Sequence, residues 1–168
     1  MWNPAKMEMT GYSRPNFDTN LIAVGYDRNY TIWGKPTEKD WNNTSPYWHL
    51  KGNGGILSTT EDLYKWDVAL KSDLILSKEA KQKLYHPKLR DDEPENAIYG
   101  YGWDVSQTDR MTTQVWHNGT NRIFYADFLR YIDENTTLIM LTNKSHPNFD
   151  NLCFDISKMI FNPTFQPE

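Results

Sequence analysis

The chain has 168 residues, enough for one domain with a substantial core. Apolar residues make up 38% and charged residues 24%, which excludes a disordered or fibrous chain. A net charge of −4, with scattered acids and no basic block, argues against a nucleic-acid surface, and no run reaches the ~18 apolar residues of a membrane span.

Residues 1–55 carry little helical periodicity. Met1 to Gly11 lacks the apolar stretch of a signal peptide, so a cytoplasmic chain or a piece of a longer, exported protein is expected. Leu21 to Tyr26 reads as a strand and Tyr30 to Trp33 as a second, with a turn at Asp27-Arg28-Asn29. Pro36, Asn42-Asn43 and Pro46 mark a loop. Gly52-Asn53-Gly54-Gly55 follows, without the Lys and Ser/Thr of a phosphate loop.

Ser58-Thr59-Thr60-Glu61-Asp62 is a capping-box region, and Leu63, Trp66 and Leu70 follow at helical spacing. A helix from Thr59 or Thr60 to Ala69 or Leu70 is expected. Ser77 precedes a shorter helix over Lys78–Tyr85, stopped before Pro87, with Ser58 and Ser77 both reading as caps. A solvated loop surrounds Pro94.

From Tyr99 the pattern becomes extended. Tyr101–Val105, Thr113–Trp116, Phe124–Tyr131 and Thr137–Thr142 read as strands, the last two joined by a turn at Asp133-Glu134-Asn135. Leu152, Ile156, Met159 and Ile160 form an apolar helical stripe suited to cover the sheet. The pattern is α+β in a single domain over 1–168: loops and short strands to 55, helices over 56–98, antiparallel strands over 99–145, and a C-terminal helix over 148–161.

The one cysteine, Cys153, excludes an intrachain disulfide and reads as a buried thiol. His49, His86, His117 and His146 show no metal-binding spacing, so no metal and no cofactor are expected. The stretch His117-Asn118-Gly119-Thr120 is the most suggestive. An imidazole, an amide and a hydroxyl meet a bare backbone there, and the Thr120 N–H suits oxyanion stabilisation. The same four residues also read as a bulge or turn with a satisfied histidine. No Gly-x-Ser-x-Gly and no Ser-x-x-Lys occurs, so no serine stands out as a nucleophile.

Several segments resemble, in order, those of the β-lactamase-related serine hydrolases, a family that includes class C β-lactamases, D-alanyl-D-alanine peptidases and esterases. Asn3 to Thr10 is similar to its "PLGM-x-x-T" segment, with Ala5 and Lys6 departing from it; Leu21 to Tyr26 resembles "LAxGY". Gly54 to Leu63 resembles its glycine-pair segment ending in Asp-Leu, Tyr99 to Trp103 its "YGYGW" strand, and Leu138 to Asn143 its strand ending "LTN". His117-Asn118-Gly119 looks like its third active-site motif, Lys-Thr-Gly or His-x-Gly.

The resemblance implies a partial β-lactamase/transpeptidase-like fold, C-terminal half only, with a C-terminal helix packed on the sheet. It also implies a serine nucleophile and its lysine base in Ser-x-x-Lys, and a tyrosine in Tyr-x-Asn, neither of which this sequence contains. His117, Gly119 and Thr120 become a catalytic wall, and His117, Asn118, Thr120 and Arg122 contact a small acyl or peptide-like substrate in the full-length parent. A chain inactive alone is expected, completed by a missing N-terminal half or an oligomeric partner, from a family often extracytoplasmic. A non-catalytic binding or structural module on the same fold is the alternative. The family often places Gly-Phe where this chain reads Arg122-Ile123-Phe124, and a β-branched Ile123 restricts the backbone there. Asn118 for threonine and His117 for lysine point to a peptidase-like or esterase-like parent.

Overall fold

The computed structural model describes residues 2–12, 18–39, 52, 54–85 and 97–166. His49, His86, the Asn42–Pro46 loop and the Pro94 loop lie outside them. Two short strands, β1 (Gly25–Tyr26) and β2 (Ile32–Gly34), pair antiparallel. Two helices follow, α1 (Thr60–Lys71) and α2 (Lys78–Tyr85). Five strands come next: β3 (Ala97–Gly100), β4 (Trp103–Gln107), β5 (Thr113–Thr120), β6 (Tyr125–Tyr131) and β7 (Thr136–Thr142). They are hydrogen-bonded neighbours in that order, and α3 (Phe149–Phe161) closes the chain.

The helices α1 and α2 stand where their caps and spacing predict, but the caps differ. Ser77 Oγ accepts from the Ala80 N–H at 3.2 Å and caps α2. Ser58 does not cap α1; its hydroxyl instead shares a 2.8 Å hydrogen bond with Thr10. Two expected strands are also corrected. Leu21 lies in a 3-10 turn (Thr19–Leu21), leaving only Gly25–Tyr26 as paired strand. Tyr101 and Gly102 form a turn rather than a strand start, both with positive φ, 54° and 82°. With Gly100 facing Trp103, this is the two-residue hairpin whose twist matches that of its strands.

The described residues divide into two compact units. In the first (Met1–Glu8, Thr60–Asn118, Phe128–Ile139), Ala5, Met7 and Ala69 form a small apolar cluster with Trp2, Trp66 and Ile75 against it. Beside it sits a buried ion pair. Arg130 Nε donates to Asp67 Oδ1 at 2.7 Å, with the two side chains only 2% and 0% exposed. Lys71 Nζ lies 2.8 Å from Asp67 Oδ2, and a second guanidinium N–H of Arg130 donates to the Tyr85 hydroxyl. Burial pushes the Asp67 carboxyl up, but its hydrogen bonds to Lys71 and Arg130 outweigh this and leave its pKa below the ordinary value. At the β6–β7 turn, Glu134 Oε1 accepts from Arg110 at 2.9 Å and from Thr112 at 2.6 Å, and Asn135 takes the left-handed backbone asparagine tolerates.

In the second unit (Met9–Thr59, Gly119–Asp127, Met140–Glu168), Tyr26 bonds the chain after β7: its N–H donates to Asn143 O at 2.8 Å, and Ser145 N–H donates to Tyr26 O at 3.1 Å. The Asn143 side chain donates to Val24 O at 2.8 Å. Helix α3 buries Phe149, Cys153 and Ser157, spaced four apart, and not the expected stripe. Leu152, Met159 and Ile160 are exposed, because that face is turned away from the groups Phe149 and Cys153 touch. Phe149 meets the Tyr125 ring at 5.7 Å, and the Cys153 thiol lies 3.3 Å from Met140 Sδ. Buried Asp127 is held above the ordinary carboxylate range by desolvation, partly offset by a hydrogen bond from Cys153, with Asp150 adding to the rise. Burial and the Asp127 carboxyl together push the Cys153 thiol well up.

These two aspartates have opposite linkage to pH. Asp67→Asn is expected to cost ~3 kcal/mol at pH 7 by leaving Arg130 without its counter-charge. Because the folded pKa of Asp67 is depressed, that stabilisation is present above the ordinary value and is lost as pH falls below ~4. Denaturant titrations of both proteins should therefore converge in acid. Asp127, raised in the folded state, costs stability as pH rises from ~4 through its folded pKa. Asp127→Asn should gain about 1 kcal/mol at pH 7 and nothing at pH 4, measured by the same titrations.

Candidate functional site

The stretch His117-Asn118-Gly119-Thr120 forms the last four residues of β5, so it belongs to a strand rather than to a bulge or turn. Val115 is fully buried two residues earlier, which anchors the strand and leaves its end to emerge into solvent. His117, Gly119 and Thr120 are exposed and Asn118 is half-buried.

His117 belongs to the first unit with its neighbours Tyr99 and Asp104. The β3–β4 hairpin sets Tyr99 opposite Asp104, and β4–β5 pairing sets Asp104 opposite Trp116, next to His117. The Tyr99 hydroxyl and His117 Nε2 are 3.3 Å apart. Desolvation raises the Asp104 pKa, and the charge of His117 pulls it part of the way back. An imidazole with a phenol at one nitrogen and a carboxylate nearby can hold a proton or donate to an anionic oxygen. Neither Tyr99 nor Asp104 was singled out from sequence; only the hairpin register brings them to His117.

Gly119, Thr120 and Arg122 belong to the second unit. A methyl group added at Gly119 would meet no atom within 4 Å, so a ligand could approach the backbone there from open space. The Thr120 hydroxyl accepts from the Arg122 N–H at 2.8 Å. Asn121, overlooked in the sequence, organises the turn: its side-chain oxygen accepts from the N–H groups of Ile123 and Phe124, at 3.1 and 2.8 Å.

The turn also resolves the missing glycine. The left-handed residue is Arg122, at φ 78°, and not Ile123. Ile123 is buried and packs against Gly25, where a Cβ would come within 2.6 Å of its Cγ2 and 2.7 Å of Phe124. Lys6, the other departure at a family glycine, is likewise left-handed, at φ 57°. Both positions thus hold a left-handed backbone on a residue with a side chain.

Among the described residues no three histidine, cysteine or acidic side chains group to hold a metal ion, and no helix is long and apolar enough to cross a membrane.

A five-stranded antiparallel sheet with helices before and after it is the fold that solved penicillin-binding-protein homologues share with this chain. The chain belongs to the Beta-lactamase family, whose model matches residues 1–152. That match runs over nearly the whole chain, which overturns the expected confinement of the resemblance to a C-terminal half. Penicillin-binding protein 4* of Bacillus subtilis (strain 168) is 32% identical over 133 residues, covering 79% of this chain and 29% of that protein. The octameric penicillin-binding protein homologue from Pyrococcus abyssi superposes with a TM-score of 0.72 at 19% identity, over 96% of this chain and 36% of its own. The penicillin-binding protein from Bacillus halodurans gives 0.64 at 20% identity, over 93% and 46%. The chain therefore spans less than half the length of each of these relatives, and its α+β fold is theirs.

Because an L-residue at positive φ is strained, Arg122→Gly should stabilise the chain by about 1 kcal/mol, read as a higher denaturant midpoint at unchanged slope. An unchanged or lowered midpoint would show that Arg122 is held by contacts worth more than the strain.

Proposed function

We propose that this chain supplies one wall of an acyl-transfer site, in which a serine outside these 168 residues attacks an ester, amide or β-lactam carbonyl. The observation that carries the reading is the solvent-facing end of β5, where His117, Gly119 and Thr120 lie in the stretch that resembles the family's third motif. The 168 residues contain neither Ser-x-x-Lys nor Tyr-x-Asn, so the activated nucleophile and its base have no candidate here. In this role the backbone beside Gly119 admits the substrate carbonyl, and the Thr120 N–H donates to the oxyanion. The His117 imidazole, held by Tyr99, faces the substrate carboxylate or the leaving group. Asn118 and Arg122 flank the substrate as polar contacts.

The reading extends to the surroundings of the site. Alone, the 168 residues form no acyl-enzyme; activity requires further sequence or a partner chain. The octameric state of the Pyrococcus abyssi homologue supports an oligomer as one source of that completion. The family's usual setting favours an extracytoplasmic parent. His117 in place of lysine favours peptide or ester substrates over β-lactams.

Fluorophosphonate and fluorescent penicillin probes test this directly. The 168-residue chain should remain unlabelled, whereas the protein joined to sequence bearing Ser-x-x-Lys should label. In the labelled protein His117→Ala should slow acylation by about 10²-fold, the lower end of the cost of losing a positioned proton-transfer group. Covalent labelling of the 168-residue chain itself would refute the reading.

A further inference from the structure

Within the first unit, α1, α2 and the β6–β7 hairpin line an open cleft of about 420 Å³ that the acyl-transfer reading does not use. Its volume falls in the range of small-molecule sites and equals roughly fourteen waters at ~30 Å³ each. One face of α2 lines it, since Lys78, Lys81 and Tyr85 recur at helical spacing. Lys71 of α1 and Arg130 of β6 complete a cationic wall.

The charges do not cancel. Four cations line the cavity against one carboxylate, Asp67, which is shared between Lys71 and Arg130. Lys81 is paired with Asp73 at 2.8 Å, outside the lining. Counting Asp73 as well, four cations face two carboxylates among the described residues, an excess of two positive charges there. Lys78 has no ion-pair partner among the described residues. Arg130 is 2% exposed and fixed by Asp67 and Tyr85, so its guanidinium is held in place before any ligand arrives. The Tyr85 hydroxyl accepts from Arg130, which leaves its own O–H to donate. Thr137, also in the lining, turns its hydroxyl to the Asp67 carboxylate and helps to hold it ionised.

From this geometry we infer a binding site for a phosphate group, carried either by inorganic phosphate or by a small organic phosphate. Lys78, Lys81 and Arg130 supply the charge, and Tyr85 the hydroxyl contact. A phosphate dianion matches the residual two positive charges, and fixed donors reduce the ordering cost of binding. Leu70 and Ile132, also in the lining, offer apolar surface to an organic part.

Calorimetric titration of the 168-residue chain with inorganic phosphate and with phenyl phosphate, at ionic strength matched by chloride, tests the site. Saturable binding of one equivalent of either is expected, and tighter binding of phenyl phosphate would identify the organic class as the ligand source. Lys78→Gln, a change at an exposed side chain, should weaken binding about tenfold or more, and Tyr85→Phe should weaken it less. Lys83→Gln, on α2 but outside the lining, should leave it unchanged. Absence of saturable heat for both ligands, or equal weakening by Lys83→Gln and Lys78→Gln, would overturn the assignment. The probes for acylation and these titrations have separate readouts, so either proposal can fail alone.

Discussion

The pair formed by Asp67 and Arg130 is the constraint on which the first unit turns, because neither charge can be left where it is without the other. Both side chains are withdrawn from water, and desolvation of two ions is repaid only by close geometry and by saturation of the remaining donors and acceptors. Lys71 pairs with the second carboxylate oxygen at 2.8 Å and Tyr85 accepts from one guanidinium nitrogen, while the ring centres of Tyr85 and Trp103 lie 5.4 and 6.0 Å from the guanidinium. The pair ties the middle of α1 to β6, residues 63 positions apart in the chain. Such a pair adds little net stability over an apolar contact, but it tolerates no alternative register of β6, since a slip of one residue would carry Arg130 to the opposite face. The same anchored guanidinium gives the neighbouring cavity its fixed positive charge.

In the second unit the determining feature is steric. Gly25 allows Ile123 and Phe124 to approach the backbone of β1 more closely than any side chain would permit, and Phe124 also meets Trp33 edge-on at 5.9 Å. This packing fixes the end of the turn after Thr120, and Asn121 fixes its start through two backbone N–H groups. Arg122 is consequently driven into a left-handed conformation that glycine would adopt without strain. The exposed end of β5 is therefore presented by a turn held at both ends.

Much of this was legible in the sequence, and for identifiable reasons. Helices α1 and α2 were readable because their apolar spacing and the Ser77 cap are local properties, decided within a few residues. The β6–β7 hairpin was readable because Asp133-Glu134-Asn135 is turn chemistry between two apolar runs. The family was legible because its motifs recur in order, and His117 to Thr120 could be named from that order alone. What failed was whatever depended on orientation. The apolar stripe of α3 is a correct helical pattern, yet the buried face is Phe149, Cys153 and Ser157, since Tyr125, Met140 and Asp127 decide which side is covered. The expected cap at Ser58 is occupied by Thr10, 48 residues away.

The sequence by itself determined the element types, the family and the identity of the polar strand end, because each rests on short-range periodicity or on residue order. Only the tertiary structure decided which groups His117 meets, that Arg122 carries the strain, and that Arg130 finds Asp67. These depend on hairpin register and on packing between segments distant in the chain, where a single polar partner or a missing Cβ outweighs any local preference.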